Sequence, residues 1–451
     1  MKRIGMRTKF MLIFIALFTI CAVILVSSVF KNGASWSMHP ANQDLFTDGV
    51  LKYESEISDR HGALLLKTSG GALIYNDSEA IRRSTLHAVG EASGNIVSGV
   101  YTSNRSRLTG YNPVFGAFSL NGRGSDMTLT LDAGLCASAY GALDGRKGTI
   151  GVYNYKTGEI LCMISSPNYD PNDPPAFGDE IPPEYEGIYL NRLLTGLYAP
   201  GSVFKIITSM AAIETIPDIY ERTFLCEGGT YIDGEWIACM GNHGNIGFES
   251  AFSHSCNAAY AVIANELGSE TLEQYAKKAG FGETFEVNGV KTSASRIDLE
   301  GISNANLGWA GIGQFTDLAN PYNFMLLAGA VANGGQPVKP YLISKSGLMP
   351  EIRLNKHEKR LADEDTAEAL KAMMRNNVIE YYGDGTFEGL HMCAKTGTAE
   401  VDDGEPHAWF TGFLDDETHP YAFVVVVEHG GSGLSVAGSV ANTVMQAAVG
   451  V

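Results

Sequence analysis

The sequence predicts an α+β chain built on one antiparallel sheet with helices on both faces, and three observations predict it. Two strand-like runs pair near residue 150. Helix-like runs fill the middle of the chain. Three more strand-like runs close it ahead of a last helix. Strands and helices thus come in blocks, which argues against a doubly wound parallel sheet. The chain has 451 residues, 45% hydrophobic and 18% charged, enough for two or three domains with a large core. Lys plus Arg is 32 against 50 for Asp plus Glu, a net charge of −18, so no basic surplus exists for a nucleic-acid partner.

At the N-terminus, Lys2, Arg3, Arg7 and Lys9 precede an uncharged run from Phe10 to Phe30, and Lys31 follows it. A helix crosses a bilayer core with ~20 apolar residues, more than the ~7–15 of a signal-peptide core. Residues 1–34 are therefore expected to form a cytoplasmic tip and a retained single-pass anchor. The cations ahead of the run place the rest of the chain on the extracytoplasmic side. A cleaved signal peptide is the competing reading.

Residues 35–123 are polar and rich in Gly and Ser, with short apolar runs such as Ala63-Leu64-Leu65-Leu66, and are expected to form a β-rich pedestal. The turn-dense Gly122-Arg123-Gly124-Ser125-Asp126 marks the boundary with a main domain, 124–451. There Met127 to Leu131 alternates like a strand, and Asp132 can cap a helix from Ala133. Thr149 to Tyr155 and Glu159 to Ser165 read as strands joined at Lys156-Thr157-Gly158. Helical stretches begin near Ser202 and Ser255, and Ala367 to Asn376 is amphipathic. Strands follow at Met392 to Val401, Ala408 to Phe413 and Tyr421 to Glu428, with a small-residue helix from Ser435 to Ala448.

Seven cysteines, an odd number, do not form a disulfide framework. Cys226 and Cys239 bracket a hairpin signal with an Asp233-Gly234 turn. Counted outward from that turn, Cys226 faces Gly241 and Cys239 faces Gly228. A bridge would need a bulge, for which Gly228-Gly229 is the candidate. With His243 the trio resembles part of a zinc site that lacks a fourth ligand. Free thiols, a disulfide and a metal all stay open.

The strongest chemical signal is Ala199-Pro200-Gly201-Ser202-Val203-Phe204-Lys205. Pro200 and Gly201 suit a sharp helix entry, and the run to Ile213 is apolar on nearly all sides, so the helix is buried. Ser202 would stand at its first turn, with Lys205 one turn along on the same face. Desolvation lowers a buried lysine's hold on its proton, so Lys205 can accept the proton of Ser202 and make it a nucleophile without a histidine. The other S-x-x-K, Ser28 to Lys31, lies at the end of the anchor.

Two shorter motifs follow. S-x-N occurs at Ser93-Gly94-Asn95, Ser119-Leu120-Asn121, Ser166-Pro167-Asn168 and Ser255-Cys256-Asn257; the first three read as turns. Ser255 and Asn257 precede a helical run, Ala258 to Leu267. Lys-Thr-Gly occurs as a hairpin turn at Lys156 and as Lys395-Thr396-Gly397-Thr398, which opens a strand. Gly397 would let a substrate backbone approach that strand, Lys395 offers a cation to a carboxylate, and Thr396 and Thr398 add hydroxyls.

In this order the three motifs resemble those of the penicillin-binding proteins and serine β-lactamases. Further likenesses point to the class B penicillin-binding proteins: Lys156 to Leu161 with Ser165 to Asn172, Leu190-Asn191-Arg192, Gly311-Ile312-Gly313-Gln314, Ala332-Asn333-Gly334-Gly335 and His407 to Gly412. They span about residues 126–440. In the pedestal, Asp59-Arg60-His61-Gly62 is similar to the family's Asp-Arg-Asn-Gly. Ser55-Glu56 stands where the family usually has Arg-Gly.

The resemblance implies a β-lactamase/transpeptidase-like fold with a five-stranded antiparallel sheet. It also implies a D,D-transpeptidase that cross-links peptidoglycan stem peptides through an acyl-enzyme on Ser202, is acylated by β-lactams and needs no cofactor or metal. By that resemblance Lys205 is the leading general base, Ser255 relays a proton and Asn257 holds the substrate amide. Lys395, Thr396 and Thr398 bind the terminal carboxylate, and the N–H groups of Ser202 and Thr398 form the oxyanion hole. A role in cell division or cell shape beside a membrane-embedded glycosyltransferase is implied likewise. Alternatives are a D,D-carboxypeptidase, a β-lactamase, or a non-catalytic β-lactam sensor or scaffold.

Overall fold

The computed structural model describes residues 2–38, 45–47, 49–111, 123–178, 180–347, 349–350, 353, 356–402 and 404–450. Helix α1, Lys2–Ser37, opens the chain. Within its segment Gly5–Gly33 an 18-residue stretch has a mean hydropathy of 2.9 and is 0% buried; among the described residues this is the one helix long and apolar enough to cross a membrane. Uncovered apolar surface of that length is costly in water and suits a lipid environment.

Strands β1 (Ser55–Ser58), β2 (Leu64–Ser69) and β3 (Ala72–Tyr75) form an antiparallel meander. Helix α2, Glu79–Val89, follows and buries Leu86, His87 and Val89. No helix is expected here from the sequence, because this one is only three turns long and charged and polar residues interrupt its apolar ones. Its packing decides it. Arg82 donates to both carboxylate oxygens of Asp170, at 2.8 and 2.6 Å, and His87 Nε2 lies 2.8 Å from the Ile188 carbonyl. The meander belongs to a six-stranded sheet that also takes in β4 (Met127–Leu129), parallel to β1, then Ile343–Ser346 and Met349–Pro350. Segments 55–75 and 343–350 therefore share one sheet.

The second sheet has five strands. Asp132 caps helix α3, Ala133–Leu143, its side chain accepting from Leu135 N–H. Strands β5 (Gly148–Asn154) and β6 (Ile160–Ser166) then pair around Lys156-Thr157-Gly158. The middle of the chain supplies helix α4 (Lys205–Thr215), the hairpin β7 (Thr223–Ile232) and β8 (Glu235–Gly247), and helices α5 (Asn257–Lys278), α6 (Pro321–Ala332) and α7 (Glu364–Asn376). Strands β9 (Met392–Ala399), β10 (His407–Leu414) and β11 (Tyr421–Val427) return to the sheet, and α8, Ser439–Val449, ends it. The order is β9-β10-β11-β5-β6, antiparallel throughout, with β9 at an edge. Helix α6 packs on one face of β11, and α8 with α3 lies on the other. Both faces are covered, so Val424 to Val427 are all buried and the strand loses polar alternation.

One local expectation is corrected and another is refined. In the β7–β8 hairpin the register jumps from Ala238↔Gly229 to Asn242↔Glu227 and again to Gly244↔Cys226, so Cys226 lies opposite Gly244 and not Gly241. The extra residues are on the β8 side, within 239–241 and at 243. The helix near Ser202 begins with a 3₁₀ turn, Gly201–Phe204, before α4. Gly201 has φ +54°, and a Cβ there would stand 2.5 Å from the Thr398 carbonyl oxygen, so a side chain would push the turn off β9.

Candidate active site

The nucleophile turn is held from three sides. Gly201 N–H donates to the Gly313 carbonyl at 2.8 Å, and Trp409 Nε1 donates to the Ala199 carbonyl at 3.0 Å. Gly397 faces the Pro200 carbonyl, where a Cβ would approach to 2.8 Å. The Gly311–Gln314 and His407–Gly412 segments thus serve as walls against which the turn is pressed.

Lys205 is 0% exposed. Its Nζ donates to Ser202 Oγ at 2.9 Å, the Ser255 carbonyl at 2.6 Å, Ser255 Oγ at 3.1 Å and Asn257 Oδ1 at 2.7 Å. An ammonium has only three hydrogens for these oxygens; the neutral amine has two, and a lone pair free to accept from a hydroxyl. Burial pulls the Lys205 pKa down to about 7, with Cys239 and Cys256 acting in the other direction. A lysine in that range is part base, part acid near neutral pH.

Ser255 stands in the turn between the helix Phe248–Ser253 and α5, with φ +53°, a region a non-glycine residue rarely adopts. The turn is secured by Ser255 N–H to Phe252 O and Cys256 N–H to Ala251 O, at 3.1 and 2.8 Å. Asn257 is the first residue of α5, and its Nδ2 donates to the Ala238 carbonyl at 2.9 Å, which leaves Oδ1 facing Lys205. The helical run expected from Ala258 to Leu267 ends where Gly268 breaks α5 with φ +77°.

Lys395, on edge strand β9, is also 0% exposed, and its Nζ donates to Ser255 Oγ at 3.0 Å and the Thr396 carbonyl at 3.2 Å. Burial first, and the nearby Lys205 second, hold its pKa well below the usual lysine range. Among the described residues, every hydrogen-bond partner of these two lysines is a neutral oxygen. A buried cation with no carboxylate of its own favours an incoming anion. Thr398 Oγ1 accepts from Gly433 N–H at 3.3 Å.

All three motifs thus meet at Ser255. The other copies lie elsewhere. Lys156 pairs with Asn333 Oδ1 at 2.8 Å at the β5–β6 turn, and Ser28 and Lys31 lie on α1. Asn95 N–H bonds Glu91 in a loop, Asn168 bonds the Ser165 carbonyl, and Ser119 to Asn121 lie outside the described residues. Tyr382 is not anticipated from the sequence. Its hydroxyl accepts from Thr396 N–H at 3.0 Å and stands 3.1 Å from Thr396 Oγ1. The π-helical turn Asn377–Gly383 that delivers it has no periodicity to betray it.

The chain is similar to known proteins over most of its length. Residues 148–446 match the family described as the penicillin binding protein transpeptidase domain. A curated relative, peptidoglycan D,D-transpeptidase PbpA of Mycolicibacterium smegmatis, is 28% identical over 348 residues, 70% of each chain. The crystal structure of PBPA from Mycobacterium tuberculosis superposes with a TM-score of 0.77 at 22% identity, covering 88% of this chain and 100% of that one. The penicillin G acyl-enzyme complex of that protein superposes with a TM-score of 0.76 at 22% identity, over the same shares of each chain.

Proposed function

The chain belongs to the penicillin-binding protein transpeptidase family, and on that premise we propose that it is a peptidoglycan D,D-transpeptidase working through an acyl-enzyme on Ser202. The observation that carries this reading is the buried Lys205 amine, 2.9 Å from Ser202 Oγ and, among the described residues, bonded only to neutral oxygens.

Lys205, uncharged, takes the Ser202 proton as Oγ bonds to the carbonyl between two terminal D-alanines. The oxygen of the tetrahedral adduct takes its negative charge toward the N–H groups of Ser202 and Thr398. Each such donor is worth roughly 3–4 kcal/mol in other enzymes. The C–N bond then breaks. The departing amine gains a proton through Ser255 Oγ, which lies within hydrogen-bond distance of both Lys205 and Lys395. An amine from a neighbouring stem peptide attacks the ester, gives up its proton along the same path and releases Ser202. Lys395, Thr396 and Thr398 hold the donor's terminal carboxylate, Gly397 keeps β9 open to its backbone, and Asn257 holds its amide.

Helix α1 is the membrane anchor in this reading, with the catalytic part on the extracytoplasmic side and residues 35–123 as a pedestal before the transpeptidase domain 124–451. The anchor and pedestal are the surfaces for a membrane-embedded glycosyltransferase that supplies the glycan strand.

Mass spectrometry after exposure to penicillin tests the reading. A stable adduct on the Ser202 peptide is expected, absent in Ser202→Ala; an adduct elsewhere, or none in correctly folded protein, overturns it.

A further inference from the structure

Cys226, Cys239, His243 and Cys256 lie within 4.8 Å of one another, measured between their sulfur and nitrogen atoms. They come from strand β7, the β8 bulge, β8 itself and the turn before α5. His243 Nδ1 is 3.4 Å from Cys226 Sγ and 3.6 Å from Cys239 Sγ, and Cys239 Sγ is 4.0 Å from Cys256 Sγ. Arms of ~2.3 Å to sulfur and ~2.0–2.1 Å to nitrogen, at tetrahedral angles, place ligand atoms about 3.6–3.8 Å apart. The three spacings just given fall around those values, and the other pairs lie within 4.8 Å. A disulfide needs sulfurs about 2.05 Å apart and would use only two of these groups. Cys256, the middle residue of the Ser255–Asn257 motif, is the fourth ligand that the Cys226, Cys239 and His243 trio lacks when read from the sequence.

We propose that these four side chains form a tetrahedral Zn²⁺ site that ties the β7–β8 hairpin to the Ser255–Asn257 turn and so positions the catalytic groups. Three thiolates and an imidazole fill all four positions of such an ion, which makes the site structural and leaves no place for substrate. On binding, each thiol exchanges its proton for a metal–sulfur bond and the protons go to solvent. The link to the catalytic groups is short. Asn257 N–H donates to Cys239 Sγ at 3.3 Å, and Asn257 Nδ2 donates to the carbonyl of Ala238, next to Cys239. Fixing Cys239 and Cys256 holds the Asn257 carboxamide and the strained Ser255 backbone against Lys205. On the extracytoplasmic side assigned by the functional reading above, the metal also shields three clustered thiols from oxidation.

The test uses the full chain purified in detergent. Elemental analysis is expected to give one zinc per chain, and Co²⁺ substitution the intense visible absorption of a tetrahedral thiolate site. His243→Ala and Cys226→Ser lose the metal, while Cys21→Ser, in helix α1, keeps it. Should those site variants fail to fold, the metal content and cobalt spectrum of the unaltered chain decide. No zinc, an octahedral cobalt spectrum, or a mass showing a disulfide among the four overturns the proposal. Removing the metal with a chelator is expected to slow acylation by labelled penicillin about tenfold, restored by Zn²⁺ alone. Unchanged acylation overturns the positioning role. This last arm rests on the acyl-enzyme reading: absent acylation in metal-loaded protein counts against that reading, while the metal content judges the site by itself.

Discussion

The side-chain nitrogen of Lys395 donates to the hydroxyl of Ser255 over 3.0 Å, across 140 residues of sequence. That bond, with the one from Lys205 to the same hydroxyl at 3.1 Å, places two buried lysines on one serine. Burial first and the nearby Lys205 second lower the hold of Lys395 on its proton, burial lowers that of Lys205, and the Lys205 proton is the one the chemistry needs to lose.

The first prediction follows from that proton. Lys205 is active as a base only when neutral, so with a pKa of about 7 acylation by penicillin rises as pH rises through 7 and levels off above it. Below 7 the lysine is increasingly charged and the rate falls. Lys205→Arg stays charged at every accessible pH, which removes the rise and slows acylation by roughly 10²–10⁴-fold. Stopped-flow measurement with a fluorescent penicillin across this range reads both effects; a pH-independent rate in the unaltered protein speaks against Lys205 as base.

Lys395→Ala should weaken acylation by roughly 10²-fold and weaken the response to substrates with a free carboxylate more than to their amides. Lys395→Arg should not rescue it, because the side chain is fully buried and a guanidinium needs more room and more acceptors than this site holds. Comparing acylation rates for a peptide acid and its amide in both variants checks the expectation.

Tyr382→Phe leaves Thr396 N–H without its acceptor on the edge strand. The expected cost is about 1–2 kcal/mol of stability, read as a lower urea midpoint at unchanged slope. Acylation should slow as β9 loosens. An unaltered midpoint would mean that another acceptor serves that N–H.

Arg82→Ala removes both hydrogen bonds to Asp170, whose side chain is 10% exposed. A fall of about 2–3 kcal/mol in stability is expected, with the acylation rate per folded molecule unchanged, since the pair lies away from Ser202. Thermal denaturation and penicillin labelling of the same sample separate the two.

The chemical letters were legible in the sequence because local rules write them: a sharp Pro200-Gly201 entry ahead of an apolar helix, a strand pattern after Lys395, an uncharged run from Phe10 to Phe30, and strand blocks that set the α+β class. Asp132 as a helix cap and Lys156-Thr157-Gly158 as a turn are local in the same sense, each depending on a few neighbouring backbone groups. What the letters meant together was not local. Which Ser-x-Asn joins Lys205, that Tyr382 reaches Thr396, that strands 55–75 share a sheet with 343–350, and that Cys256 completes a four-ligand cluster all depend on segments far apart in sequence. Such contacts are decided only when burial of the shared core brings the segments together, and with them comes the desolvation that lowers the hold of Lys205 on its proton. Sequence alone named the residues; packing set their distances and their charge.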